Sequence, residues 1–123
     1  MTEYIVGNAC EELMKLPSSS YDLVFTRGVL INIAPKWNGI FREMARVAKS
    51  FILTMETEGA YFAYPRDFKK MFRKAGCRQI IYKLYKRSGN KRILATHYDR
   101  DDLFNSITVR LFVKNRLKGS AGV

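Results

Sequence analysis

This sequence predicts an α/β fold: a doubly wound, mostly parallel sheet that ends in an antiparallel pair of strands. Three observations carry that expectation. Short apolar runs alternate with helical periodicities through residues 21–75, the signature of parallel strands joined by crossover helices. Tyr21–Phe25 is apolar except at Asp22, as befits a strand covered on both faces. Beyond Gly76 the strand signals follow one another with no helical pattern between them, which favours antiparallel pairing.

The elements follow in order. Residues 3–7, EYIVG, predict a short strand that ends at a glycine. Cys10, Leu13 and Met14 stand at helical spacing within residues 9–16, and Leu16–Ser20 is a loop by composition. In residues 36–49 the apolar positions Trp37, Ile40, Phe41, Met44, Ala45 and Ala48 form one stripe of an amphipathic helix. Pro35 stands just before it, where a missing N–H costs nothing. Phe51–Met55 is a second short strand. Residues 65–75 predict another helix, with Phe68, Met71, Phe72 and Ala75 on one face and Gly76 as its C′ residue. Residues 78–86 and 106–114 read as strands, Ser88-Gly89-Asn90 as a turn, and 91–98 as one further strand. Ligands of such sheets bind beyond the carboxyl ends of the strands. The segments expected to form a site are therefore Gly7–Cys10, Thr26–Asn32 and Glu56–Gly59.

The chain of 123 residues is expected to form a single domain, 1–123, and its 47% apolar and 13% aromatic content suits a packed core rather than disorder. No apolar run approaches the roughly 18 residues of a membrane span. The N-terminal stretch lacks a basic region followed by an apolar one. The expectation is a cytoplasmic protein with no membrane partner. Cys10 and Cys77 are far apart in no C-x-x-C spacing and read as free thiols. His97 is the only histidine, and its spacing to Asp99, Asp101 and Asp102 fits no established ligand set, so no metal is expected. The net charge is +11, unevenly placed: residues 1–65 carry net −1 and residues 66–123 net +12. A basic half suggests a nucleic acid or another anionic partner, and a solvated polar face explains it equally well. Neither G-x-G-x-x-G nor G-x-x-x-x-G-K-[ST] occurs, so no phosphate cradle of either kind is encoded.

Gly7-Asn8-Ala9, then Leu16-Pro17, then Ser20-Tyr21-Asp22-Leu23-Val24 resembles the later motifs of class I S-adenosylmethionine-dependent methyltransferases. There a strand ends in Gly-Asp-Ala, a Leu-Pro follows, and an aromatic-Asp-Leu-Val strand leads to the cofactor loop. The continuation "GVLINIAP", "EMARVAK", "FILTMETE" and "FKKMFRKAGC" is similar as well. The stretch "DLVFTRGVLINIAP" is particularly similar to methylases associated with pseudaminic acid biosynthesis. The resemblance implies a truncated Rossmann-like methyltransferase sheet with S-adenosylmethionine as cofactor. It begins at the family's third strand, so the N-terminal Gly-rich loop and the acidic residue after the second strand have no counterpart. The implied sheet has a gap and an exposed edge beside Tyr21–Phe25. A partner protein, a second copy making a homo-oligomer, or Glu3–Val6 sliding in would cover it.

The resemblance assigns Gly7, Asn8 and Ala9 to the adenine edge, and Thr26, Arg27, Gly28 and Val29 to the methionine part and methyl group. A strand-ending Gly-Asn turn at Gly7-Asn8, Gly28 as a plain turn residue and Arg27 as a solvated cation are the ordinary alternatives. Asn32 stands where many relatives carry histidine, and an amide is no general base near neutral pH. Methyl transfer mainly needs alignment, so activity survives that difference. Glu56 and Glu58, after the fifth strand, are candidates for binding a substrate hydroxyl or amine, with a solvated loop as the commoner alternative. The implied activity is methyl transfer to O or N of a small or sugar-like acceptor, with a second chain completing the cofactor site. The alternative is a non-catalytic domain that binds a protein or nucleic acid through its basic half. There Lys69–Lys74, Lys83, Lys86, Arg87, Lys91 and Arg92 are interleaved with Tyr82, Tyr85 and Tyr98. A third reading is part of a longer enzyme.

Overall fold

The structure, a computed structural model, describes residues 3–60, 63–88, 91–94 and 106–115. Three helices, α1 (Ala9–Met14), α2 (Gly39–Val47) and α3 (Phe68–Lys74), accompany five strands. The strands are β1 (Tyr21–Arg27), β2 (Ala48–Glu56), β3 (Cys77–Ser88), β4 (Lys91–Leu94) and β5 (Ile107–Lys114). They form one sheet in the order β1-β2-β5-β3-β4. The α/β class and the antiparallel C-terminal strands are as the sequence predicts, but the sheet is a parallel and antiparallel mix rather than mostly parallel. Parallel pairing is confined to β1 and β2, and the other pairings are antiparallel. The last strand, β5, inserts between β2 and β3 and separates what would otherwise be parallel neighbours.

Local chemistry sets the helix ends. The Asn8 side chain caps α1 by accepting from the Glu11 amide at 3.0 Å, and Asp67 caps α3 by accepting from Lys70 at 3.0 Å. Gly76 follows α3 at φ +92, the left-handed turn foreseen for it. Pro35 opens not the long helix but a 3-10 turn, Pro35–Trp37, and α2 starts at Gly39. Ala48, predicted on the helical stripe, is instead the first residue of β2. Its backbone is extended at ψ 133 and it pairs with Tyr21 of β1, so sheet pairing wins over the last helical turn.

All three helices pack on one face, which corrects the doubly wound expectation. The crossovers β1-α2-β2 and β2-α3-β3 both advance in the same direction across the sheet, and right-handed connections then place their helices on the same side. Cys10 of α1, Phe41 and Met44 of α2, and Phe68 and Phe72 of α3 form one buried cluster with Ile52 of β2 and Phe112 of β5. Phe72 is its hub, with ring centroids 5.1 Å from Phe41 and 4.5 Å from Phe112. Cys10 and Cys77 are buried and free in this core, and burial raises both thiols above their ordinary pKa.

The opposite face is different. Strand register places Leu23, Phe51, Val113 and Arg78 in one row across the sheet. The next row is Phe25, Leu53, Leu111 and Ile81, and the third is Arg27, Met55, Val109 and Lys83. Among the described residues no helix packs on these rows, and β1 is a free edge. The exposed edge beside Tyr21–Phe25 is therefore present, with Phe25 61% exposed. Glu3–Val6 neither forms the predicted strand nor fills the gap. It has no sheet neighbour to satisfy its backbone, and Tyr4 and Val6 are 89% and 97% exposed.

Of the predicted strand 91–98, residues 91–94 are β4. Residues 95–98, with His97 and the nearby Asp99, Asp101 and Asp102, lie outside the described residues, as do Gly89 and Asn90 of the turn. Among the described residues no helix is long and apolar enough to cross a membrane, and no cluster of metal-ligating side chains occurs.

Candidate functional site

The carboxyl ends of β1 and β2 lie side by side, and the chain leaves β1 through Gly28. This residue sits at φ +64, a conformation that L side chains rarely adopt. Nothing lies within 4 Å of where its Cβ would stand. Its N–H donates to the Met55 carbonyl at 3.1 Å, so the parallel ladder continues into the turn. A 3-10 turn, Leu30–Asn32, follows. Leu30 and Ile31 are buried anchors, while Val29 points outward at 37% exposure.

The loop is gripped through its backbone from two sides. Glu56, fully buried at the end of β2, accepts from the Val29 amide at 3.2 Å and the Ile31 amide at 3.1 Å, one with each carboxylate oxygen. Arg66, in the approach to α3, donates to the carbonyls of Leu30 (2.9 Å) and Ile33, and to Asn38 Oδ1 at 2.7 Å. Burial lowers the pKa of this guanidinium, and its carbon lies 5.7 Å from the Phe41 ring centroid. Asn32 closes the loop on itself, donating from Nδ2 to the Gly28 carbonyl at 3.0 Å. A carboxylate for the amides and a guanidinium for the carbonyls hold the backbone between opposite charges.

Beside this loop, along the free edge of β1, runs an open groove of about 290 Å³. Ala9, Thr26 and Val29 line it together with Ile5, Leu13 and Ile40. Three of the predicted site residues thus converge on one apolar surface. Gly7, Asn8, Arg27 and Gly28 flank it in the chain, and Arg27 is exposed. The Thr26 hydroxyl, and that of its ladder neighbour Thr54, are buried without a hydrogen-bond partner. Buried polar atoms are rarely left so.

The two acidic candidates have other occupations. Glu56 holds the loop and is closed to solvent. Glu58 makes a bidentate pair with Arg110, at 2.9 and 3.0 Å, and Arg110 also donates to Gln79 at 2.7 Å and stacks over Tyr82 at 4.7 Å. Burial raises the Glu58 carboxyl above its ordinary 4.5, and the Arg110 pair offsets this only in part. The folded state therefore keeps a proton that the unfolded chain has lost. This group's contribution to stability should be full below about pH 4.5 and be lost as pH rises through the raised value. The difference in denaturation midpoint between the chain and Glu58→Gln, measured from about pH 4 upward, should show that decline; a difference that grows over the same window would contradict the assignment.

Residues 2–51 match a family model described as a methyltransferase domain. No curated protein matches the chain. A Haloferax volcanii protein, described as a methyltransferase and solved in complex with the Trm112 methyltransferase activator, superposes with a TM-score of 0.62 at 13% identity. That match covers 85% of this chain and 58% of the other. The chain shares its fold with part of a methyltransferase. A Thermus thermophilus protein described as a DNA modification methylase matches at TM-score 0.55 and 16% identity, over 93% of this chain and 55% of that one. A Thermotoga maritima methyltransferase, described as a possible histamine N-methyltransferase, gives 0.55 at 12%, over 83% and 59%. The chain therefore spans 55% to 59% of the length of these structures. At such identities the likeness is one of fold.

Sequence reasoning missed Arg66 and the true role of Glu56. For Glu56 the signal was present: a single carboxylate ending an apolar strand, where open loop amides need an acceptor. Arg66 carried no comparable mark beside Pro65.

Proposed function

We propose that this chain is the C-terminal half of a methyltransferase-type domain, whose S-adenosylmethionine site is completed along β1 by a second polypeptide, a partner protein or another copy. The observation that carries this reading is the braced loop beside a groove open at the sheet edge. The groove's volume, about 290 Å³, lies just below the 300–1,000 Å³ or so typical of ligand sites. Its largely apolar lining fits a flat heteroaromatic ring such as adenine. Among the described residues that line the groove, Glu12 carries a carboxylate, paired with Lys15 at 3.0 Å. The Gly-rich loop and the acidic residue after the second strand have no counterpart here, which accords with part of a site rather than all of it.

When bound, the cofactor supplies an electrophilic methyl group. The chain's own contribution is positional: Glu56 and Arg66 fix the loop, Val29 forms the wall, and Asn8 presents its amide nitrogen while its oxygen caps α1. The acceptor is an oxygen or nitrogen of a small or sugar-like molecule, for which alignment rather than a base from Asn32 is the requirement. That the Haloferax protein is solved with an activator protein supports the need for a partner here.

Val29→Arg tests the groove. It fills the groove from an exposed rim position, so the denaturation midpoint should hold while S-adenosylmethionine binding by the assembled protein falls at least about tenfold, the equivalent of 1.4 kcal/mol. Undiminished binding in equilibrium dialysis would place the cofactor elsewhere.

A second reading rests on α3, whose Lys69, Lys70, Arg73 and Lys74 are all exposed and form a basic face open to an anionic partner. A labelled single-stranded oligonucleotide would then bind with a steep salt dependence, and the chain would ignore S-adenosylmethionine.

A further inference from the structure

We propose that the face of the sheet that no described helix covers and the free edge of β1 form one docking surface for a different, acidic polypeptide. That polypeptide lays an apolar helical face on the sheet and adds a strand beside β1. The inference rests on the reading that a second chain completes the site, and it names the chemistry of that chain.

Leu23, Phe25 and Phe51 are 44%, 61% and 40% exposed, and they continue through Leu53, Leu111 and Val113 into a single apolar sheet surface. Four strands at about 4.8 Å spacing and three rows of side chains span roughly 400 Å² of sheet, about three quarters of it apolar, with Arg27, Arg78 and Lys83 at the margins. A patch of that size is comparable to the largest on a typical monomer, and such patches are often functional. A stable interface buries about 800 Å² on each partner, so the face alone is too small and the β1 edge with its groove belongs to the same footprint. An exposed strand edge supplies backbone hydrogen bonds to an incoming strand, and side-chain pockets beside it set the choice of partner.

Charge decides which partner. Arg27, Arg78 and Lys83 stand at the margins of the three rows and are exposed, and none of those positions carries a carboxylate. Two copies packed face to face would bring these like charges together, and no carboxylate stands among the described residues of the three rows, in a chain of net charge +11. Two copies joined edge to edge through β1 would leave both apolar faces bare. An acidic chain satisfies both the apolar rows and the cations around them.

The test places a photo-crosslinking phenylalanine analogue, p-benzoylphenylalanine, at Phe25, at Phe51 and, as control, at Lys69 on α3 of the full chain in its native cells. The expected result is one adduct with the same acidic protein from Phe25 and Phe51 but not from Lys69. That protein, once purified, should bind the chain one to one, and its affinity should fall about tenfold between about 50 and about 300 mM NaCl. Arg78→Glu with Lys83→Glu should abolish binding without altering the circular dichroism of the chain. An adduct of twice the chain's mass, an adduct with nucleic acid, no adduct, or salt-insensitive binding would each overturn the proposal. Titrating S-adenosylmethionine into the purified complex separates the two readings. A complex that ignores the cofactor keeps the interface and removes the methyltransferase, whereas a self-dimer that binds it does the reverse.

Discussion

Replacing Glu56 by alanine is expected to destabilise the chain by about 3 to 5 kcal/mol, most of it from two amides left without an acceptor. The carboxylate is fully buried and accepts from Val29 and Ile31, one oxygen for each. An unsatisfied buried donor costs about 1–3 kcal/mol, and hydrogen bonds to a charged acceptor are stronger than neutral ones. A small domain has only about 5–15 kcal/mol in all, so the variant should unfold at much lower denaturant. Glu56→Gln keeps one acceptor oxygen but turns an NH2 toward the other amide, and should fall between. Arg66→Ala should also loosen the loop by freeing the carbonyls of Leu30 and Ile33. Because both side chains hold the same few residues, the double variant should lose less than the sum. Urea melts of the four proteins check this; a Glu56→Ala loss below about 1 kcal/mol would mean the loop stands without its brace.

Phe72→Ala is expected to cost about 3 to 5 kcal/mol, the range for emptying a buried aromatic site. Phe72 is fully buried where α2, α3 and β5 meet, with Phe41 and Phe112 packed on it. Phe68 on the same helix has a single described ring contact, with Phe41 at 5.6 Å and an interplanar angle of 63°, so its truncation should cost less. Phe72→Leu, which retains more of the volume, should recover much of the loss. Thermal melts of the three variants decide the order; equal losses for Phe72→Ala and Phe68→Ala would contradict the hub.

The pattern that revealed the fold was periodicity. Phe68 and Phe72, four apart in a polar helix, and the alternation Ile107, Val109, Leu111, Val113 leave little choice of element. What periodicity cannot show is where a helix yields to a strand. Ala48 continues the apolar stripe of α2, yet its pairing with Tyr21 draws it into β2. The EYIVG segment has strand-like residues, but a strand exists only with a neighbour, and Tyr4 and Val6 have none. Nor does a local pattern show the direction in which successive crossovers advance, so a doubly wound sheet was expected where the helices share one face. At the candidate site, Ala9 and Val29 were legible because they follow motif and strand ends, and Thr26 because it closes the apolar run of β1. The use of Glu56 and Arg66 was not, since each serves backbone groups 25 to 36 residues away.

The most direct test of a methyltransferase half-site is calorimetric titration of S-adenosylmethionine into the purified chain, with its mass in solution determined on the same sample. The account predicts no saturable binding by the monomer at millimolar cofactor, and saturable binding once the chain is assembled with its partner. Saturable binding by the monomer alone would contradict it, because the site would then be complete within these 123 residues.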